Sequence, residues 1–404
     1  MSLLPLFAWL FALNAMCLIP FTYGPLTFAC LLVAVWLLWR TQRATEHPLQ
    51  ISVIPLRIII GISALPVLIS AVAGFILTPD PMIDIGINTV AAIQHFLQGH
   101  NPYTHTAQLW VSDFPADTPH MTMENGQMLL FGIPYYHGYP YFPMMMLSYL
   151  PASILFEEHT AIRITHILLI LLNLLAFYLL ASRFSTNRTQ RQWIFLCASA
   201  AWIGIIRCIP EALLLGVTDM LISTWLLFCF VALSNKQFFI AGLLLGCAQA
   251  CKLLPAPLAF ISIAWFLYGQ RGFWTWGCGF VLASILLILP FVAWNPDGFI
   301  SATIFYYLSH HQGGDMTSLW FFLPEPLKPA FLLAGIVLAL ACIPLFNPNR
   351  KNLAGSMAGV FASYTLFMAF SKMTHLNYFW AVLPVGSIAL ALFIFREEEL
   401  PAQL

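Results

Sequence analysis

Apolar residues in this chain come in long unbroken runs. Stretches of roughly bilayer-spanning length, about 20 residues, occupy 3–22, 25–39, 52–77, 161–182, 192–210, 212–234, 272–293, 326–346, 353–370 and 376–395. One more, 238–270, is too long for a single span and is interrupted by Lys252, Pro255 and Pro257, so it predicts a hairpin of two short helices. Short polar connectors separate the runs, apart from two long ones at about 78–160 and 295–325. The pattern predicts an all-α, polytopic transmembrane bundle of about twelve membrane segments, with no soluble domain and no repeat of fixed period. The stretch from Leu3 to Tyr23 has no basic start and no small-residue cleavage site, and reads as a retained membrane helix.

Charge orients this bundle, because arginine and lysine favour the cytoplasmic side of short loops. Placing the 39–50 loop inside puts Arg40, Arg43, Arg57, Arg183, Arg188, Arg191, Lys236, Arg271, Arg350, Lys351 and Arg396 inside or at that edge, eleven of sixteen bases. The fit requires segment 140–156 to lie in the plane of the outer leaflet, which the prolines and tyrosines of its YYHGYPYFP start favour. Twelve of sixteen acids and ten of eleven histidines then fall outside. Acids have little influence on topology, so their clustering independently indicates a polar site on the outer face, roofed by in-plane helices of the two long connectors.

Composition sharpens the class. With 60% hydrophobic and 8% charged residues the chain has no soluble reading, and a net charge of zero offers no nucleic-acid surface. All nine cysteines lie within apolar stretches and read as small hydrophobes without a disulfide framework. Cys247 and Cys251 are four apart, but no local histidine or acid completes a metal site.

The chemistry-bearing residues gather in the outer connectors. Asp80 and Asp84 follow a membrane run; an amphipathic stretch then leads to Gly99-His-Asn-Pro-Tyr103, and Tyr139-Pro-Tyr-Phe-Pro143 comes later. This arrangement resembles the GT-C glycosyltransferases, membrane enzymes that take sugars from polyprenyl-phosphate donors, and especially their bacterial mannosyl- and arabinofuranosyltransferase branch. In that branch an outer-loop aspartate precedes a G-x-N-P-Y element by about fifteen residues and a Y-P-P element follows. Asp84 and Gly99 match the spacing, whereas Tyr139-Pro140-Tyr141 keeps part of the second motif. Gly242 through Gly246 to Lys252-Leu-Leu-Pro255 resembles the family's glycine-rich helix, and Ser371 through His375 to Tyr378 its late outer segment. The resemblance runs over about 51–396, leaving two extra helices in 1–50.

What the resemblance implies is an integral membrane glycosyltransferase, inverting, that moves a mannose- or pentose-like sugar from a polyprenyl-phosphate donor to a lipid-linked, glycolipid or protein acceptor. It would sit in a bacterial inner membrane with its site on the extracytoplasmic side, and need no cofactor or metal. Asp84 is the expected general base, an N-cap its structural alternative, and Asp80 its rival beside the turn-forming Pro81. Lys252, a base within an apolar hairpin, is expected to meet the donor phosphate unless it snorkels to water. Arg207 would clamp phosphate or pair with Glu211, and His375 and Lys372 would join from the late segment. Tyr103, Tyr135, Tyr136, Tyr139 and Tyr141 would stack on sugars or anchor the interface, and Asp219, Glu157 and Glu158 would bind sugar hydroxyls or merely face solvent. His310 and His311 with Asp315 point apart in regular structure, so no metal is expected there. Two other classes stay open: a transporter or flippase, which predicts paired broken helices, and a silent GT-C-like subunit of a membrane complex.

Overall fold

A computed structural model describes residues 3–18, 24–43, isolated parts of 57–72, 84–105, most of 121–134, 138–253, 256–305, 318–371 and 375–395. The helices are α1 (Leu4–Leu18), α2 (Gly24–Arg43), α3 (Asp84–Leu97), the short α4 (Pro143–Leu147) and α5 (Leu150–Ser153), and α6 (Glu158–Phe184). They continue with α7 (Arg188–Ile203), α8 (Cys208–Leu215), α9 (Met220–Ser234), α10 (Phe238–Gln249), α11 (Ala256–Leu267), α12 (Phe273–Trp294) and α13 (Pro296–Ile300). The last are α14 (Lys328–Phe346), α15 (Leu353–Phe370), a 3-10 turn over Leu376–Ala381, and α16 (Leu383–Ile394). The bundle is helical, as the run pattern predicts. The long first connector adds a small antiparallel meander, β1 (Met121–Glu124), β2 (Gln127–Leu130) and β3 (Ile133–Pro134), with Met121 opposite Leu130 and Leu129 opposite Pro134.

Among the described residues, four helices are individually long and apolar enough to cross a membrane, His159–Phe184, Phe273–Trp294, Glu325–Phe346 and Leu353–Phe370. A fifth is formed if α7 and α8, bent by 58°, make one span. The shorter apolar helices include both arms of the expected hairpin, α10 and α11, whose break falls at Lys252. The run 52–77 lies largely outside the described residues.

Two boundaries differ from the sequence reading. The runs 192–210 and 212–234 are three helices: α7 stops at Ile203, α8 is a separate piece, and Gly216 ends it in the left-handed region at φ 70° before α9 starts at Met220. Segment 376–395 begins as a 3-10 turn, since Pro384 near the start of α16 has no N–H to continue a ladder backwards. Segment 140–156 contains the two short helices α4 and α5.

Side chains near helix ends tie neighbouring elements together: Arg183 Nε donates to the Ser234 carbonyl at 2.8 Å, Gln190 Nε2 to that of Phe395 at 2.7 Å and Trp265 Nε1 to that of Asn347 at 2.9 Å. Arg350 lies over the Trp265 ring at 4.0 Å. At the centre α15 is buried along almost its whole length, while α12 and α14 stand at the rim with Trp274, Leu286, Leu333 and Val337 exposed.

Helix α12 packs on α10 through small residues, the usual device where apolar burial gives no preference for helix over lipid. A Cβ added at Gly242 would lie 2.0 Å from the Trp276 carbonyl oxygen, and one at Gly279 would lie 2.3 Å from that of Phe239. Both obstacles are backbone, so only a shift of one helix relieves them. Gly242→Ala should therefore destabilise the folded protein by about 1–3 kcal/mol, read as a lowered unfolding midpoint in detergent; an unchanged midpoint would mean that the two helices separate freely.

Candidate active site

The first part of the site is a knot of backbone contacts among the motifs. Helix α3 ends at Gly99, left-handed at φ 78°, with His100 N bonded to the His95 carbonyl at 2.9 Å. Asn101 Oδ1 then accepts from Tyr103 N at 2.8 Å, folding the Asn-Pro-Tyr turn. The Pro102 carbonyl accepts from Tyr139 N at 2.9 Å, and the two segments touch because Gly138 has no side chain: a Cβ there would sit 2.2 Å from the Tyr103 carbonyl oxygen. The Tyr103 hydroxyl donates to the Tyr141 carbonyl at 2.9 Å, and the Tyr139 hydroxyl meets that of Thr89 at 3.1 Å. The chain after Tyr141 then pairs with the hairpin break. Phe142 N donates to the Cys251 carbonyl at 3.1 Å and Met144 N to that of Ala250 at 2.7 Å.

Tyr103 and Tyr139 are fully buried, so neither presents a face to a sugar or anchors an interface; they hold the loop together. Burial pushes both phenols up from their usual value, which leaves each a neutral hydroxyl that can donate and accept.

The second part is a buried ion pair at the break. Lys252 Nζ lies 2.9 Å from Asp219 Oδ1, with Asp219 0% and Lys252 6% exposed. Asn377 Nδ2, on the 3-10 turn, donates to the other Asp219 oxygen at 2.9 Å. The ammonium also stands 3.8 Å from the Tyr378 ring centre and 5.5 Å from that of Tyr141, and the His375 ring packs on Tyr378 at 5.2 Å. Two charges withdrawn from water recover their hydration only if their remaining hydrogen-bonding capacity is met; Asn377 and the two aromatic faces supply that here. The surface setting considered for Asp219 and the snorkelling alternative for Lys252 are therefore both corrected, since neither reaches solvent in this structure.

The third part mirrors the second. Arg207 pairs through Nε and Nη2 with Glu211 Oε1, the ion-pair alternative of the sequence analysis, and Trp380 Nε1 donates to Glu211 Oε2 at 2.9 Å. The turn at 376–381 thus satisfies both carboxylates, Asp219 through Asn377 and Glu211 through Trp380.

Of the expected residues, Lys252, Asp219, His375 and Tyr141 meet in one cluster, with Arg207 one residue pair away and Tyr103 and Tyr139 in the supporting knot. Asp84 opens α3; its side chain lies outside what the structure describes, as do Asp80, Lys372, Tyr135, Tyr136, His310, His311 and Asp315. Thr89, five residues into α3 from Asp84, touches Tyr139, which puts the start of that helix about 7–8 Å along its axis from the knot. Glu157 is exposed. Among the described residues no group of three or more His, Cys, Asp or Glu side chains is placed to hold a metal ion. Sequence reasoning missed Asn377 and Trp380, although polar and indole donors directly after His375, in a segment otherwise apolar, were an available signal.

No protein-family model matches the sequence, and no curated protein matches it. In fold the chain is similar to the crystal structure of ArnT from Cupriavidus metallidurans bound to undecaprenyl phosphate, with a TM-score of 0.51, 14% identity, and alignment over 86% of this chain and 61% of that one. The apo structure of the same ArnT aligns with a TM-score of 0.49 and 15% identity, over 84% of this chain and 59% of that one. The chain thus spans about three-fifths of the length of ArnT, and its architecture is that of an ArnT-like, multi-pass membrane bundle.

Proposed function

We propose that the protein is an integral membrane glycosyltransferase that moves a sugar from a polyprenyl-phosphate donor to a lipid-linked, glycolipid or protein acceptor on the extracytoplasmic face of a bacterial inner membrane. The observation that carries this reading is Lys252, a cation buried at the broken tip of a membrane hairpin and enclosed by Asp219, Tyr378 and Tyr141, in a fold similar to one solved with undecaprenyl phosphate. Each hairpin arm has 12 residues, about 18 Å of helix against about 30 Å of hydrocarbon. Neither arm alone is long enough to cross the hydrocarbon.

In this reading Asp84 takes the proton of an acceptor hydroxyl as that oxygen attacks the anomeric carbon. The bond from carbon to phosphate oxygen breaks, the sugar inverts, and the polyprenyl phosphate leaves with one more negative charge than it had in the donor. Lys252 faces that developing charge from a site closed to water, where a fixed cation acts most strongly. Asp219 and Asn377 hold the ammonium in place, His375 backs the Tyr378 ring, and no metal is required.

The test is direct. Purified protein in lipid nanodiscs should bind undecaprenyl phosphate saturably and transfer label from a polyprenyl-phosphate sugar to an acceptor lipid. Absence of both binding and transfer across a panel of such donors, or transbilayer movement of the lipid without transfer, would refute the reading.

A further inference from the structure

The two N-terminal helices read from sequence as additions to a core, yet four hydrogen bonds fix α1 to residues 201–207, the join between α7 and α8. Trp9 Nε1 donates to the Ala201 carbonyl at 3.2 Å. Asn14 Nδ2 donates to the Gly204 carbonyl at 2.8 Å, while its Oδ1 accepts from Ile206 N at 2.9 Å. Arg207 Nη1 donates to the Cys17 carbonyl at 3.3 Å. The packing agrees, for a Cβ added at Gly204 would meet Leu10 Cδ2 at 2.6 Å.

The Asn14 pair is the informative one. A 58° bend between two helices breaks the i to i−4 ladder and leaves peptide groups that need outside partners. Asn14 offers one amide donor and one amide acceptor to a carbonyl and an N–H two residues apart, the way a peptide strand would. What the bend aims is the site. Helix α8 starts at Cys208, directly after the bend, carries Glu211 to Trp380, and ends four residues before Asp219, which meets Lys252 and Asn377.

We propose that Asn14 is a positioning residue: by satisfying both peptide groups at the α7–α8 bend it sets the direction of α8, and through Glu211 and Asp219 it fixes the 375–381 turn against Lys252. The proposal rests on the glycosyltransferase reading only for what the site then does; the geometry stands apart from it.

Hydrogen exchange measured by mass spectrometry on the full-length protein in nanodiscs tests it, alongside undecaprenyl phosphate binding. Asn14→Leu keeps the side-chain width and removes both bonds, so peptides covering 204–215 and 375–381 should exchange at least tenfold faster while α9 and α15 stay protected, and binding should weaken about tenfold. Trp9→Phe, which cuts a bond of the same helix away from the bend, should leave 375–381 unchanged. If Asn14→Leu does not accumulate as folded protein, the smaller Asn14→Ala carries the same comparison. Unchanged exchange at 375–381 in a folded Asn14 variant overturns the proposal, as does an equal response to Trp9→Phe. Should the wild-type protein bind no undecaprenyl phosphate, the functional reading fails while the exchange result still decides the positioning.

Discussion

Asp84→Asn should lower sugar transfer by roughly 10²–10⁴-fold, the usual contribution of a positioned acid or base, with donor affinity and thermal stability nearly unchanged. The expectation follows from where Asp84 stands, at the first residue of α3, one and a half turns before the Thr89 hydroxyl that holds Tyr139. An asparagine there still accepts a hydrogen bond from the helix N-terminus but cannot take a proton at neutral pH. Single-turnover transfer beside a donor-binding measurement separates the two roles. Asp80→Asn is the matched control four residues earlier. If Asp84→Asn turns over normally and Asp80→Asn is inactive, the base is Asp80; if both are active, transfer assisted by a carboxylate of this loop is wrong.

The second large effect concerns the ion pair. Lys252→Met should cost about 3–5 kcal/mol of stability, because it strands the Asp219 carboxylate, which is 0% exposed, without a counter-charge. Asp219→Asn alone should be costly for the converse reason. The double variant Lys252→Met/Asp219→Asn removes both charges, keeps an acceptor for Asn377, and should recover most of the loss. Unfolding midpoints of the four proteins give the coupling directly. Donor binding is then best read in the double variant, where weak affinity reports the missing cation rather than a damaged fold. Additive midpoints would show that the two groups do not interact, and full donor affinity in the folded double variant would remove Lys252 from the phosphate site.

Legibility in the sequence followed the range of each interaction. The hairpin break was readable because Lys252, Pro255 and Pro257 are local interruptions of an apolar run, and a proline or a charge acts on its own few residues wherever the rest of the chain goes. The pairing of Asp219 with Lys252, 33 residues apart, and with Asn377, 158 apart, was not, since it depends on which helices become neighbours. Arg207 shows the boundary: Glu211 lies one turn away and was foreseeable, whereas Trp380 was not. Asn14 is the clearest loss. A lone asparagine in an apolar helix reads as nothing until the bend it fastens is known, and the bend was hidden because Gly204 lies inside the single apolar run 192–210.

The tyrosine segment meets the hairpin break through two main-chain hydrogen bonds, Phe142 N to the Cys251 carbonyl and Met144 N to that of Ala250, beside the Tyr141 ring that faces Lys252. The two hydrogen bonds call for no particular side chain, and a proline at 142 or 144 would remove a donor, whereas the buried Phe142, Ala250 and Cys251 side chains limit size. A substitution of similar size at these positions therefore leaves the register of the joint in place, and the position of Lys252 is set by backbone as much as by its own ion pair.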